Sequence, residues 1–343
     1  VKIGSGKTVL EAAKEAGIYI PTLCYHQGLP PYGGCRLCLV EIEGMRRLTT
    51  ACTTPVTEGM VVKTDTPQIQ QIRRNILELI LSEHPHACFS CDRKERCGPL
   101  DICLRNVAVT ERCVSCPKNK RCELQEVADY IGVQETTIPY TYRGLPIERD
   151  SAFFDRDYNL CILCGRCVRV CQEVRGAGAI AFTYRGSQAL VGTAFEQPLE
   201  DVGCQFCGAC VDACPTGALV ERSAKWMGTP DRQVTTTCPY CGVGCGVLAA
   251  ADGTIKGDPD HPANYGRLCS KGSALGETID LDGRLLNPMI GGQVATWDTA
   301  LDLVAEKFSA AIAEHGPDSV AFYASGQLLT EDYYVANKLM KGF

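Results

Sequence analysis

The fold of this chain is decided by the stretch CILCGRCVRVC, residues 161–171. Its cysteines follow the spacing C-x2-C-x2-C-x3-C, which is typical of bacterial cysteine runs that bind [4Fe–4S] clusters. The same spacing returns in CQFCGACVDAC, residues 204–214, with Pro215 behind it. In such pairs the fourth cysteine of each run ligates the cluster of the other run. The sequence therefore predicts two [4Fe–4S] clusters, one bound by Cys161, Cys164, Cys167 and Cys214 and the other by Cys171, Cys204, Cys207 and Cys210.

The composition supports iron–sulfur clusters over other uses of cysteine. The chain has 343 residues, of which 23 are cysteine and 45% are hydrophobic. Disulfide frameworks suit short secreted chains that cannot build a core, and an odd number of cysteines leaves one thiol over. Zinc sites mostly use paired C-x2-C knuckles rather than repeated triplets. Iron–sulfur binding is therefore the favoured use of these thiols.

Other features exclude further classes of protein. No stretch of about eighteen apolar residues is present, so a membrane span is not expected. The net charge of −6 argues against nucleic acid as a partner. The pairs Arg46-Arg47 and Arg73-Arg74 are not followed by an apolar segment, so we interpret them as surface arginines rather than an export signal. Reduced, metal-bound thiols favour the cytoplasm.

The first 65 residues contain a more widely spaced group of cysteines: Cys24, Cys35, Cys38 and Cys52. The close pair lies in GGCRLC, residues 33–38, where glycine lets backbone N–H groups turn towards sulfur. Four thiolates spread in this way can enclose a flat [2Fe–2S] cluster. A short amphipathic helix is expected ahead of them, over residues 9–20.

A longer helix is predicted after residue 66. Thr66 suits the N-cap position, and Pro67 suits the first turn. An apolar stripe at helical spacing follows, formed by Ile69, Ile72, Ile76, Leu79 and Ile80. The helix is expected to end near His84-Pro85, so that it delivers His84 to the next cysteine group.

The following segment carries two triplets of the form C-x2-C-x5-C. The first is Cys88, Cys91 and Cys97, the second is Cys113, Cys116 and Cys122, and Cys103 lies between them. Together with His84 they supply eight ligands, enough for two [4Fe–4S] clusters. In one assignment, the first cluster is bound by His84, Cys88, Cys91 and Cys97, and the second by Cys103, Cys113, Cys116 and Cys122. In the other, Cys103 completes the first triplet and His84 completes the second. The sequence leaves both open, and His86 is a weaker candidate for the histidine ligand.

A last group predicts a further [4Fe–4S] cluster. Its members are Cys238, Cys241 and Cys245, closed by Cys269 after 23 intervening residues. The 23 cysteines and one histidine then form six groups of four with no cysteine left over. The predicted cofactors are one [2Fe–2S] and five [4Fe–4S] clusters, or about 22 iron atoms.

Residues 1–230 resemble the N-terminal part of the large iron–sulfur subunit of respiratory complex I. The same module occurs in multimeric iron hydrogenases and in NAD-dependent formate dehydrogenases. The resemblance is carried by the first four cysteines, by His84 with Cys88 and Cys91, by the CELQ ending at residues 122–125, and by the paired runs. The extra cysteines between residues 88 and 122 depart from complex I subunits and suggest an additional cluster.

Residues 235–343 resemble the start of a molybdenum or tungsten bis-pterin enzyme of the formate dehydrogenase and nitrate reductase group. The last cysteine group and the stretch NYGRLCSKG, residues 264–272, carry this resemblance. It implies that Lys271 lies between the [4Fe–4S] cluster and the pterin. A strand is predicted over residues 320–323, and the GQLLTED segment behind it, residues 326–332, resembles a pterin-nucleotide loop with Gly326 and Gln327 as cofactor contacts.

These modules together imply an α+β multidomain fold. We expect a β-grasp [2Fe–2S] ferredoxin over residues 1–65 and a helical His/Cys segment with two [4Fe–4S] clusters over 66–147. A ferredoxin with two [4Fe–4S] clusters is expected over 148–230 and a small β-rich [4Fe–4S] domain over 231–290. The beginning of an α/β pterin-binding domain is expected over 291–343.

The resemblances imply an electron-transferring part of a formate dehydrogenase-type oxidoreductase. Its partners would be a flavin/NAD(P)-binding subunit and a small [2Fe–2S] subunit, or ferredoxin, in a hetero-oligomer. Alternatives are a non-catalytic wiring subunit of a complex I-like or hydrogenase-like assembly, including a bifurcating one, or a nitrate reductase-type enzyme. No catalytic residue is assigned here, and a molybdenum or tungsten bis-pterin guanine dinucleotide is expected only if the chain continues beyond residue 343.

Overall fold

A computed structural model describes residues 6–133, 135–151, 153–222, 232–279 and 282–342. The domain boundary expected at residues 230 and 231 lies outside these ranges. In the first unit, helix α1 (Val9–Glu15) packs beside a sheet with the strand order β2-β1-β3, and all pairs in that sheet are antiparallel. The strands are β1 (Leu39–Ile42), β2 (Thr49–Thr50) and β3 (Val62–Lys63). Helix α1 is shorter than the predicted 9–20, because Gly17 with a φ of +72° follows its C-cap.

Helix α2 (Pro67–Leu81) begins as predicted, and the Thr66 side chain accepts a hydrogen bond from the Ile69 amide. Its buried face differs from the predicted apolar stripe. Leu79 is 63% exposed, whereas the buried positions are Ile69, Arg73, Leu77, Glu78 and Leu81. The interpretation of Arg73 as a surface residue is therefore wrong. Its side chain lies on the face that packs against the first unit, where it finds backbone acceptors.

The His/Cys segment is built mainly from turns and short 3-10 helices between α2 and α3 (Glu123–Ile131). Helix α3 ends at Gly132, whose φ of +73° supplies the left-handed C-cap. Leu77 and Leu81 of α2 join Leu124 and Val127 of α3 in one core cluster. Helix α3 thus fixes Cys122, at its N-cap, against the rest of the molecule.

The two paired cysteine runs form one compact unit. Its short elements are α4 (Arg166–Arg169), α5 (Ala209–Asp212) and the strands β4 (Phe154–Arg156), β5 (Ala181–Thr183), β6 (Leu190–Gly192) and β7 (Leu219–Glu221). Strand β4 pairs with β7, and β5 pairs with β6, both antiparallel. The core is built around the cysteines themselves, with Cys167 and Cys214 among its buried members.

The last cysteine group lies in a three-stranded antiparallel sheet with the order β10-β9-β8. Its elements are β8 (Gln233–Thr237), β9 (Gly246–Ala250), β10 (Ile255–Gly257) and helix α6 (Ser270–Ser273). A hairpin of β11 (Met289–Ile290) and β12 (Gln293–Val294) leads to the helices α7 (Trp297–His315) and α8 (Thr330–Gly342).

The strand predicted over residues 320–323 is not formed. The backbone there belongs to no sheet, and Tyr323 is fully exposed. A strand needs a neighbouring strand for its hydrogen bonds, and the described part of the chain places none beside it. No helix among the described residues is long and apolar enough to cross a membrane.

Candidate iron–sulfur sites

The four cysteines of the first unit lie together. The Sγ atoms of Cys38 and Cys52 are 3.4 Å apart, and the Cys35 amide donates to the Cys24 Sγ at 3.3 Å. Hydrogen bonding with the Cys24 thiol lowers the pKa of Cys35 to about 6. The pKa of Cys52 is lowered, mainly by its hydrogen bond with Cys38, and the charges of Cys24 and Cys35 oppose this shift, so the two pairs lie near each other.

Backbone amides surround these sulfurs in the way that a negatively charged cluster requires. The Leu23 amide donates to the Cys35 Sγ at 3.4 Å. Hydrogen bonding with Cys38 lowers the pKa of Cys52, and the Gly33 amide adds to this effect. Hydrogen bonding with Cys35 and burial raise the pKa of Cys24, and the Gly34 amide opposes this rise. Gly33 has a φ of +67°, a conformation that only glycine adopts without strain. The donor set therefore fits a [2Fe–2S] cluster.

In the His/Cys segment the two triplets meet. A hydrogen bond between Cys88 and Cys113 lowers the pKa of Cys88 to about 6 and raises that of Cys113. The Cys113 Sγ donates to the Pro85 carbonyl at 3.4 Å, and the His84 Nδ1 lies 2.9 Å from the same oxygen. The charge on Cys88 also acts on Cys103, which belongs to the loop after the first triplet. Cys91, Cys97 and Cys103 are half-buried.

The two histidines of this segment differ in the hydrogen bonding of their ring nitrogens. His84 is buried, and its Nε2 has no hydrogen-bond partner among the described residues. Burial lowers the pKa of His84 to about 4, so the ring is neutral at pH 7 and Nε2 can donate a lone pair to a metal. His86 uses both nitrogens, with Nδ1 at 2.9 Å from the His84 carbonyl and Nε2 at 3.2 Å from the Thr136 Oγ1. His84 is thus the better ligand.

The second triplet packs onto the paired runs. Burial raises the pKa of Cys116 to about 12 and that of Cys122 to about 11, and Cys214 adds to the shift at Cys122. A Cβ atom on Gly217 would lie 2.6 Å from the Cys116 Sγ. Glycine at position 217 therefore makes room for this thiol.

The paired runs form two groups of thiols. Burial raises the pKa of Cys161 and of Cys164 to about 12, and Cys214 is among the charges that add to both shifts. The pKa of Cys210 is raised by burial and then by Cys207, Cys204 and Cys171. The structure thus brings Cys214 near the thiols of the first run and Cys171 near those of the second. Burial raises the pKa of Cys167, and Cys210 of the other group is among the charges that add to this shift.

The last group also converges. Burial raises the pKa of Cys245, and Cys238, Cys241 and Cys269 add to the shift. The Cys269 side chain accepts a hydrogen bond from the Gly272 amide. No three metal-binding side chains among the described residues are close enough together to hold a single metal ion.

Lys271 lies two residues after Cys269 in the sequence, and its side chain lies close to both the last cysteine group and the segment at residues 326–332. Its Nζ donates to the Gln327 Oε1 and sits 5.6 Å from the centre of the Tyr240 ring. Gln327 belongs to the segment that resembles a pterin-nucleotide loop, and Tyr240 lies between Cys238 and Cys241. A Cβ atom on Gly326 would meet nothing within 4 Å, so this position is open.

Sequence reasoning missed the side chains that join one group to the next. Arg166, in the first paired run, forms two hydrogen bonds of 2.6 and 2.7 Å with Glu123, which follows Cys122. Arg169, in the same run, donates to the carbonyls of Cys24 and Pro30. Their position beside ligand cysteines was a signal in the sequence, but their partners are 43 and 139 or more residues away.

A similar bridge joins the paired runs to the last group. The Leu268 amide, next to Cys269, donates to the Asp212 carboxylate at 3.4 Å. Burial raises the pKa of Asp212 to about 7. All neighbouring groups of cysteines are thus linked by direct contacts.

Family models match most of the chain. They are the 2Fe-2S iron-sulfur cluster binding domain (residues 1–67), the NADH-ubiquinone oxidoreductase-G iron-sulfur binding region (73–103), the ferredoxin-like domain of NADH-quinone oxidoreductase subunit 3 (152–220), the molybdopterin oxidoreductase Fe4S4 domain (231–281) and molybdopterin oxidoreductase (284–343). These matches confirm domains for both [2Fe–2S] and [4Fe–4S] clusters.

The chain is also similar to characterised proteins. It is 35% identical to NADPH-Fe(3+) oxidoreductase subunit alpha of Geobacter sulfurreducens over 99% of this chain and 38% of that protein. It is 38% identical to NADP-reducing hydrogenase subunit HndD of Solidesulfovibrio fructosivorans over 74% of this chain and 41% of that protein. A crystal structure of an NAD+-reducing [NiFe]-hydrogenase matches with a TM-score of 0.54 and 29% identity, covering 67% of this chain and 86% of that chain.

The cysteine groups and the matched models together define the iron–sulfur part of an oxidoreductase. Its homologues are subunits of NADH-quinone oxidoreductases, of formate dehydrogenase-like proteins and of hydrogenases. It spans well under half the length of the curated relatives named above.

Proposed function

We propose that this chain carries electrons between a molybdenum or tungsten pterin centre and an NAD(P)-linked partner. The observation that carries the proposal is the unbroken contact between neighbouring cysteine groups. Arg169 reaches from the first paired run to the Cys24 carbonyl, Cys210 packs against the core cluster that contains Cys167, and Asp212 accepts a hydrogen bond from the backbone beside Cys269. Iron–sulfur clusters supply one-electron redox chemistry.

The residues around each group would set the reduction potentials. Buried thiols with raised pKa values lose their protons only when a metal binds, so binding releases protons and depends on pH. Amides at the sulfurs and the buried arginines offset the negative charge that the thiolates bring. We propose the six ligand sets and five domains predicted from the sequence, with the histidine ligand assigned as follows.

For the His/Cys segment we propose the second assignment. The His84 Nδ1 and the Cys113 Sγ both contact the Pro85 carbonyl, which supports grouping His84 with Cys113, Cys116 and Cys122. Cys103 follows the first triplet directly in the chain and would complete it. The family model over residues 73–103 contains His84, the first triplet and Cys103, and is compatible with both assignments.

Electron paramagnetic resonance (EPR) of single variants tests this assignment. His84→Ala should alter the same [4Fe–4S] signal as Cys116→Ala, and Cys103→Ala should alter the same signal as Cys91→Ala. If His84→Ala and Cys91→Ala alter the same signal instead, the first assignment holds. Iron and sulfide analysis of the wild-type chain should give about 22 of each; a value far below this overturns the six-cluster proposal.

For the complete enzyme we propose formate oxidation, or carbon dioxide reduction, in the cytoplasm. A flavin subunit would be the partner, because the clusters move single electrons whereas formate and nicotinamide exchange two. The test is formate-dependent reduction of NAD(P) by the purified complex, with metal analysis for molybdenum and tungsten. Turnover of nitrate instead would overturn the assignment to formate.

A second candidate is a wiring subunit without a catalytic pterin site. The similarity to 86% of a chain of an NAD+-reducing [NiFe]-hydrogenase supports it. The two functions differ in one measurement. A native complex with full clusters and no molybdenum or tungsten would support the wiring subunit.

A further inference from the structure

Arg73 is a buried cation that holds the backbone of the [2Fe–2S] loop. Its side chain is 0% exposed. The Nε donates to the Leu37 carbonyl at 3.0 Å, and Nη2 donates to the Leu39 carbonyl at 3.1 Å. These two carbonyls flank Cys38, so one guanidinium holds the backbone on both sides of this ligand.

The charge of Arg73 has no acidic partner in contact. The other buried arginines, Arg156, Arg166 and Arg169, each lie within 4 Å of a carboxylate. Among the described residues no carboxylate lies this close to Arg73, and its Nη1 has no hydrogen-bond partner. Burying an unpaired cation is costly unless something nearby offsets its charge.

The cluster site supplies opposite charge. Burial lowers the pKa of the guanidinium, whereas Tyr130, Asp65 and Cys38 each raise it. Cys38 is the cluster ligand among these three groups, and it lies between the two carbonyls that Arg73 holds. Four thiolates around a two-iron core leave a net negative charge, and the uptake of one electron adds one more. A cation at this position therefore stabilises the reduced site more than the oxidised one.

We propose that Arg73 is a positioning residue that raises the reduction potential of the [2Fe–2S] site and fixes the conformation of the Cys38 loop. The inference rests on the proposed [2Fe–2S] site. Helix α2 thereby joins the first unit to the His/Cys segment through an electrostatic contact as well as through packing. Reduction of the [2Fe–2S] site would therefore be more favourable than it would be with the four thiolates alone.

A redox titration of the full complex, followed by EPR of the [2Fe–2S] signal, tests the proposal. In Arg73→Met the ratio of reduced to oxidised cluster at a fixed potential should fall at least tenfold, which corresponds to about 59 mV for one electron. Arg73→Lys keeps the charge and should stay close to the wild-type potential. Arg74→Met removes an exposed charge from the neighbouring position and should leave the potential unchanged.

Each outcome decides between supporting and rejecting the inference. An unchanged potential in Arg73→Met would overturn it, as would an equal fall in Arg73→Lys and Arg73→Met. If Arg73→Met loses the cluster, the potential of Arg73→Lys decides alone: near wild type supports the role of charge, and a tenfold or larger change rejects it. Absence of any [2Fe–2S] signal in the wild-type protein would instead overturn the proposed function.

Discussion

The guanidinium of Arg166 and the carboxylate of Glu123 form a bidentate ion pair, with N–O distances of 2.6 and 2.7 Å. Glu123 follows Cys122, and Arg166 precedes Cys167; both cysteines are proposed cluster ligands. The Glu123 amide also donates to the Pro215 carbonyl at 3.0 Å, next to Cys214. The distance between two proposed clusters is therefore set by a few direct contacts.

We expect Glu123→Gln to destabilise the protein, because it leaves the Arg166 charge buried without its partner. The Arg166 side chain is 3% exposed and that of Glu123 is 42% exposed. Solvent at the carboxylate reduces the loss to about 2 kcal/mol. Urea unfolding under anaerobic conditions measures it. Asp129→Asn breaks an exposed pair with Lys94 and should cost less than about 0.5 kcal/mol; equal losses would contradict the prediction.

We expect His84→Ala to remove a ligand from a [4Fe–4S] cluster and leave the other clusters intact. The buried Nε2 of His84 is free to bind iron, whereas both nitrogens of His86 are engaged. EPR should show the loss or conversion of one cluster signal. His86→Ala is the matched control, and a larger effect from the control would show that the wrong histidine was chosen.

We expect Gly217→Ala to disturb the cluster bound by Cys116. The new methyl group would lie 2.6 Å from the Cys116 Sγ and 3.2 Å from the Leu160 Cδ1. Overpacking of this kind costs about 1–3 kcal/mol. Iron content and unfolding midpoints measure the effect. In Gly98→Ala the nearest atom would be 3.8 Å away, which is ordinary contact, so that variant should behave like the wild type; normal iron binding in both would refute the steric argument.

We expect Lys271→Met to slow electron transfer to or from the last cluster by about tenfold or more, because Lys271 joins Gln327 to the side of that site. The EPR signal of the cluster should persist, since Lys271 is not a ligand. Rapid-mixing kinetics of cluster reduction in the assembled enzyme measure the rate. Lys341→Met removes an exposed lysine and serves as the control. A normal rate in Lys271→Met would exclude a relay role.

The sequence by itself was enough to predict the cluster chemistry. Cysteine spacing is a local feature, because a short stretch of backbone must present three thiols to one cluster. The family matches confirm domains of both cluster types. The start of α2 was predictable for the same reason, since Thr66 and Pro67 act on the first turn alone.

Only the tertiary structure decided how the groups are joined. The sequence suggests a surface position for Arg73, because charged side chains are rarely buried. In the structure its side chain is buried and donates hydrogen bonds to two carbonyls that lie 34 and 36 residues away in sequence. Residues 320–323 have the pattern of a buried strand but no neighbouring strand among the described residues to bond with. The partners of Arg166, Arg169 and Asp212 are likewise distant in sequence, so packing alone determines which cysteine groups touch.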